Sequence, residues 1–212
     1  MLLGIVGFAG SGKGTISDIL IREHNFVRLS FADGVKDAVA TIFGWSRALL
    51  EGDTNESREF RETVDPFWSA RFGENVTPRM MLQKMGTEAG REVFHSDIWI
   101  HSLERRMLDH ENVVIPDVRF PNEMKFIKKA KGFVIRVTRN KHDPEWYNVA
   151  LKANKENNPD LMKDYPIHYS EWAWIGQDYH YTLINDGSIA MLEADVKHLL
   201  RLFTGPAIIQ KS

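Results

Sequence analysis

The apolar run Leu2 to Val6 leads without a break into Gly7-Phe8-Ala9-Gly10-Ser11-Gly12-Lys13-Gly14-Thr15. Few folds accept that order. A short, continuously apolar run fits a strand covered on both faces, as in parallel sheets packed between helices. The glycines that follow let the backbone curl until successive N–H groups point at one small anion. Lys13 to Glu23 then carries Ile16, Ile19 and Leu20 on one face, the pattern of an amphipathic helix whose positive end meets the same anion. The spacing G-x-x-x-x-G-K predicts a phosphate-binding loop in which Ala9, Gly10, Ser11, Gly12, Lys13, Gly14 and Thr15 hold a nucleotide. Lys13 supplies a mobile cation to the β- and γ-phosphates. Thr15 offers the hydroxyl for Mg²⁺, one residue later than in the usual pattern because Gly14 intervenes.

The rest of the chain continues the alternation. Phe26 to Phe31, Val113 to Ile115, Phe133 to Val137 and Thr182 to Ile184 read as further strands. Asp33 to Phe43, Pro78 to about Val93, Ile98 to Leu108, Pro121 to Ala130 and Ile189 to Phe203 read as helices. Thr77-Pro78 is a strong start signal, cap followed by proline, and Gly44 is a stop. Residues 46 to 76 read as irregular, 140 to 168 as a long loop or lid, and 204 to 212 as a loose tail. The expected architecture is α/β: a parallel sheet of the phosphate-binding-loop NTPase type, flanked by helices, with a small lid or insertion. Ligands in such sheets sit at the carboxyl ends of the strands.

A second chemical signal falls at such an end. Val113-Val114-Ile115-Pro116-Asp117-Val118-Arg119 places a carboxylate after an apolar strand, where it can hold Mg²⁺ or its water shell. Arg119 could then reach a transferring or acceptor phosphate. Transfer between two phosphates gathers many negative oxygens, so further cations are expected near the strand ends. The candidates are Lys36, Arg79, Arg91, Arg136 and Arg139. Gln83, Thr87 and Glu88 share the helix of Arg79 and Arg91 and could read a base edge or sugar, and Trp99 could stack on a base. A solvated or packing role is an equal alternative for each of these taken singly.

Composition removes several classes. With 212 residues, 43% hydrophobic and 26% charged, the chain suits one globular domain. A net charge of -2 does not favour nucleic acid as a partner. The absence of cysteine excludes disulfides, thiolate zinc sites and a cysteine nucleophile. The eight histidines lack clear metal-ligand spacing. No basic segment precedes the first apolar run, and no stretch reaches the ~18 apolar residues of a membrane span. The cytoplasm is the expected compartment, that of the host where the gene is phage-borne.

GFAGSGKGT, LSFADGVKDAV, PRMMLQKMGTEAGREVFHSDIW, IPDVRFPNE and the late LINDGS turn together resemble phage-type deoxynucleoside monophosphate kinases. The PDVRFPNE and QKMGTEAGR segments are the more specific; the phosphate-binding loop is shared far more widely. The resemblance implies a single kinase domain that transfers the γ-phosphate of ATP, with Mg²⁺, to a deoxynucleoside 5′-monophosphate. It implies an acceptor region over about residues 33–108 and a lid over about 138–170. Lys13, Asp117, Arg119 and Arg139 would then be catalytic; Lys36, Arg79, Gln83, Thr87, Arg91, Trp99, Asp117 and Arg136 would bind the acceptor. Thr15 and Asp117 would hold the metal. The partner is a small nucleotide, with neither nucleic acid nor membrane, and a homodimer is compatible. Two alternatives stay open: another small-metabolite kinase, such as one acting on dephospho-coenzyme A, and a nucleotide switch without an acceptor.

Arg91 gives the first test. A planar guanidinium can grip two oxygens of a monophosphate at once, which a lysine cannot do. Arg91→Lys is expected to raise KM for the monophosphate about tenfold or more, since such a contact is worth ~1.5–3 kcal/mol, and to leave KM for ATP nearly unchanged. Initial-rate kinetics with each substrate varied would place Arg91 elsewhere if the ATP constant moves instead.

Overall fold

All five residues of β1 (Leu2–Val6) are buried, as a strand sandwiched between layers requires. A computed structural model describes residues 1–139 and 143–205. β1 lies between β3 (Val113–Ile115) and β4 (Phe133–Thr138). β2 (Val27–Arg28) and β5 (Tyr181–Ile184) complete a sheet of order β2-β3-β1-β4-β5, with every pairing parallel. Leu3 pairs with Val114, and Ile5 with Ile135.

Alternation along β1 divides its side chains between two faces. Leu3 and Ile5 join Ile16, Ile19 and Leu20 of α1 (Lys13–His24) and Leu192, Val196 and Leu199 of α9 (Ile189–Thr204) in one core cluster. Gly4 faces the other way. A Cβ there would meet Ile127 Cδ1 at 2.4 Å, so α7 (Pro121–Lys129) covers the opposite face at close range. The sheet is therefore covered on both sides, as expected.

The chain divides into two compact units, one of residues 1–29 with 109–212 and the other of residues 30–108. The first contains the sheet. The second is helical: α2 (Asp33–Phe43), a 3₁₀ turn (Ala48–Leu50), α3 (Asn55–Glu62), α4 (Pro66–Phe72), α5 (Pro78–Lys84), a π-helix (Met85–Phe94) and α6 (Ile98–Met107).

Four expectations change. β2 is shorter than Phe26 to Phe31, because the Ser30 amide donates to Asp33 Oδ2 at 2.8 Å, closing a turn instead of a strand pairing. Residues 46 to 76, expected to be irregular, hold two short helices. The Thr54 hydroxyl accepts from the Ser57 amide at 3.1 Å and the Ser57 hydroxyl accepts from the Thr54 amide at 3.0 Å, a reciprocal cap on α3. Asp65 accepts from the Trp68 amide, with Pro66 in the first turn and Gly73 in a left-handed conformation (φ 73°) at the far end of α4. Aromatic rings well separated along the sequence pack together here: Phe43 stacks on Trp45 at 4.6 Å and meets Trp68 edge-on at 4.9 Å. The Trp68 indole donates to the Phe43 carbonyl at 3.0 Å.

The long helix expected from Pro78 changes at Met85 to a π-helix, in which Gly90 lies against the Trp99 ring and Gly86 against Val35. Residues 147–156 of the expected loop form α8 (Tyr147–Glu156), held by buried Ala150 and Ala153 and ended by Asn157 at φ 49°. Residues 140–142 of the expected loop and the tail from residue 206 onward lie outside the described residues.

Gly90 gives a stability test. A methyl there would sit 2.4 Å from Trp99 Cζ2 and 2.7 Å from the Met85 carbonyl oxygen, and backbone cannot yield as a flexible side chain can. Gly90→Ala is expected to destabilise the protein by ~1–3 kcal/mol. Equilibrium urea unfolding checks it; an unchanged midpoint would mean that the π-helix is not pressed onto Trp99.

Candidate active site

The phosphate-binding loop spans the gap from β1 to α1 and rests on the sheet. Gly7 (φ 148°) lies so close to β4 that a Cβ would meet the Val137 carbonyl oxygen at 2.3 Å. Gly10 and Gly12 adopt φ of 78° and 101°, a region other L-residues rarely enter. These turns carry the backbone into α1, whose first amides have no partner within the helix.

Late in the chain, Asn185 pins the loop. Its amide N–H donates to the Thr138 carbonyl at 2.8 Å, continuing the sheet beyond β5. Its side-chain Nδ2 donates to the Ser11 carbonyl at 2.9 Å. A Cβ on Gly12 would strike that Nδ2 at 2.1 Å, so the contact also requires glycine there. In the sequence Asn185 shows only as part of the late turn. The available signal was an asparagine just past a strand at the loop's end of the sheet, legible only once β5 is known to lie beside β4.

Phe8, at the outer side of the loop, sits among three rings: Trp146 at 5.3 Å, Tyr147 at 6.3 Å and Trp174 at 5.1 Å. The segment carrying these rings therefore rests on the loop through aromatic contact.

Lys13 Nζ donates to the Gly7 and Phe8 carbonyls, each at 2.7 Å. Burial, then the nearby positive charge of Arg119, pull its pKa from the ordinary 10.5 down to about 8. Glu171 and Asp117 act in the opposite direction. Lys13, Asp117 and Arg119 thus share one electrostatic neighbourhood at the ends of β1 and β3. Arg119 is ion-paired with Glu171. Buried Glu123 sets its backbone: one carboxylate oxygen accepts from the amides of Arg119 and Phe120 at 2.8 and 3.1 Å. The spacing of Glu123 after Pro121 is the sequence signal of this cap.

The other candidates divide between the units. Arg136, on β4, is ion-paired with Asp143, with its guanidinium 5.2 Å from the Tyr147 ring centre. Arg139 is exposed just past β4. Lys36 is buried in the helical unit, its Nζ 2.5 Å from Glu51. Arg79 is exposed and paired with Glu62. Gln83 and Thr87 are exposed and Arg91 half-buried. Their four-residue steps share a face because an α-turn over-rotates by ~40° per step while the wider π-turn under-rotates by a similar amount. Trp99 donates its indole N–H to the Gly86 carbonyl at 2.8 Å, and its ring fills the space left by Gly34 and Gly90.

A parallel sheet carrying a glycine loop, its lysine and a strand-end aspartate defines a phosphate-binding-loop nucleotide fold. No family model matches the chain. Among curated proteins, it is 37% identical over 152 residues to a protein of Acanthamoeba polyphaga mimivirus provisionally named a deoxynucleotide monophosphate kinase, covering 66% of this chain and 74% of that one. It is 28% identical over 181 residues to the deoxynucleoside-5′-monophosphate kinase of Escherichia phage T5, covering 61% and 72%. A solved shikimate kinase from Aquifex aeolicus aligns over 95% of this chain and 96% of its own, with 16% identity and a TM-score of 0.42. The chain belongs to the deoxynucleoside monophosphate kinase family.

The lowered pKa of Lys13 predicts a pH dependence. Between about 8 and the ordinary 10.5 the unliganded lysine has lost a proton that a bound polyphosphate would restore. Nucleotide binding should therefore take up a proton above about pH 8, and Kd for ADP should rise as pH increases, by up to tenfold per unit. By the same sign the folded state gains stability from Lys13 as pH rises from about 8 toward 10.5, since the unfolded chain binds the extra proton there. Calorimetric ADP titration from about pH 7 to about pH 9.5, in buffers of different ionisation heat, measures the uptake; a flat Kd without uptake would contradict it.

Proposed function

We propose that this kinase transfers the γ-phosphate of ATP to the 5′-phosphate of a deoxynucleoside monophosphate. An acceptor phosphate oxygen forms the new bond to the γ-phosphorus as the bond to the β,γ-bridging oxygen breaks, giving ADP and a deoxynucleoside diphosphate. The observation that carries the proposal is the shared site of Lys13, Asp117 and Arg119 beside a pinned glycine loop, in a member of this family.

Residues Ala9 to Thr15 would hold the ATP phosphates. Lys13 would exchange the Gly7 and Phe8 carbonyls for β- and γ-phosphate oxygens, a charge-assisted and stronger pairing. Arg119, with Arg136 and Arg139, would neutralise the group in flight. The hydroxyl of Thr15 and the carboxylate of Asp117 are hard oxygen donors that fit Mg²⁺, which when bound would neutralise phosphate charge. On the acceptor side, Arg91, Gln83 and Thr87 would meet the monophosphate from one helix face, with Arg79 beside them and Trp99 behind. Lys36 reaches a phosphate only by giving up Glu51. The freedom from cysteine supports a cytoplasmic site of action, and no helix among the described residues is long and apolar enough to cross a membrane.

The test is ADP release across all deoxynucleoside and ribonucleoside monophosphates, with dephospho-coenzyme A included. Release is expected only with a nucleoside monophosphate present. Lys13→Ala should lower kcat by ~10³-fold or more while the fold survives, since the lost contact strengthens in the transition state. Slow hydrolysis indifferent to every acceptor would make the protein a switch and sink the proposal.

A further inference from the structure

The linear spacing of the histidines carries no ligand signature, yet the fold brings two of them together away from the phosphate loop. His95 follows the π-helix, Asp97 stands at the N-cap of α6, and His101 lies one turn into α6. One ligand atom from each of the three lies within 4.8 Å of the others. The two imidazole rings are 5.5 Å apart between centres. Four donors around a tetrahedral ion at ~2.0–2.1 Å stand about 3.4 Å from one another, so modest side-chain rotations close the gap.

We infer that His95, Asp97 and His101 form a binding site for one divalent transition-metal ion of the zinc type, with the remaining coordination position open to water. Two imidazoles and a carboxylate suit Zn²⁺, Co²⁺ or Ni²⁺, whereas Mg²⁺ prefers oxygen alone. The site is thus chemically distinct from that proposed for the kinase metal. His101 has the outer support such ligands need: its Nδ1 lies 3.3 Å from Glu104 Oε2, one turn further along α6. With Nδ1 turned to Glu104, Nε2 is the atom left for the ion, and the carboxylate strengthens it as a donor.

His95 supplies an internal reporter. Its Nδ1 accepts from the Asp97 amide at 3.0 Å. If the ion takes Nδ1, the lone pair is used up. If it takes Nε2, the proton moves to Nδ1, which then cannot accept. Either way the Asp97 amide loses this bond when metal binds. The bound ion would also fasten the exit of the π-helix to the first turn of α6.

The experiment is Co²⁺ titration of the full chain without any histidine tag, followed by visible absorption and by the Asp97 amide signal in NMR. One ion per chain is expected, with ligand-field bands, displacement by Zn²⁺ and a shifted Asp97 resonance. His101→Ala and His95→Asn alter exposed side chains and should each weaken binding at least about tenfold. His198→Ala, on the exposed side of α9, should leave it unchanged. Absence of stoichiometric binding to the wild type, or equal binding by the His101 and His95 variants, would overturn the inference. Kinase activity is not the readout, so the result is independent of the acceptor's identity.

Discussion

A cradle of backbone amides can discriminate a phosphate only if it keeps its shape when empty. The contact that secures this is the approach of Gly7 to the Val137 carbonyl, which leaves no room for a side chain. That approach depends on β1 and β4 lying side by side in the register that places Val6 opposite Arg136. It depends in turn on apolar layers over both faces of β1. Asn185 then fixes the loop from the β5 side through the Ser11 carbonyl, and Phe8 fixes it from outside through three rings. Amides held this way need no reorganisation when charge arrives, which is the condition under which electrostatic stabilisation contributes most to catalysis.

Cations placed at one end of the sheet repel one another before any anion is present. The lowered pKa of Lys13 registers this, with burial the larger cause and Arg119 the next. The described chain meets the difficulty with carboxylates. Arg119 faces Glu171, Arg136 faces Asp143, Lys36 faces Glu51 and Arg79 faces Glu62. Exposed pairs of this kind contribute only ~0–1 kcal/mol, whereas a phosphate offers several oxygens and about two charges. Were Arg79 or Arg119 to meet a phosphate as proposed, exchanging its carboxylate for it would therefore be favourable. Lys36, more deeply buried beside Glu51, faces a higher cost.

The sheet and its loop were legible because they rest on local signals. Leu2–Val6 is apolar throughout, the glycines precede a helical period, and Asp117 directly follows its strand. What escaped depends on neighbours distant in sequence. Asn185 matters through a loop more than 170 residues earlier. The helices of residues 55–72 are too short for hydrophobic periodicity to reveal. Their caps at Thr54 and Asp65 were visible, but the charged, aromatic composition masked them. Phe43, Trp45 and Trp68 gain meaning as a cluster only after folding, as do His95 and His101.

The π-helix is held by its neighbours more than by its own hydrogen bonds. An extra residue per turn weakens the local hydrogen-bond ladder, so such a stretch persists only where tertiary contacts favour it. Trp99 supplies them: its indole N–H occupies the Gly86 carbonyl, and its ring lies under Gly90 where any larger residue would collide. Across Gln83, Thr87 and Arg91 the over-rotation of the α-turn and the under-rotation of the π-turn offset one another, so the three keep closer to one line than the ~80° spread of a regular α-helix over eight residues. The two glycines and the tryptophan therefore shape the row of acceptor candidates without themselves needing to touch a nucleotide, and a sequence motif containing them records backbone geometry as much as chemistry.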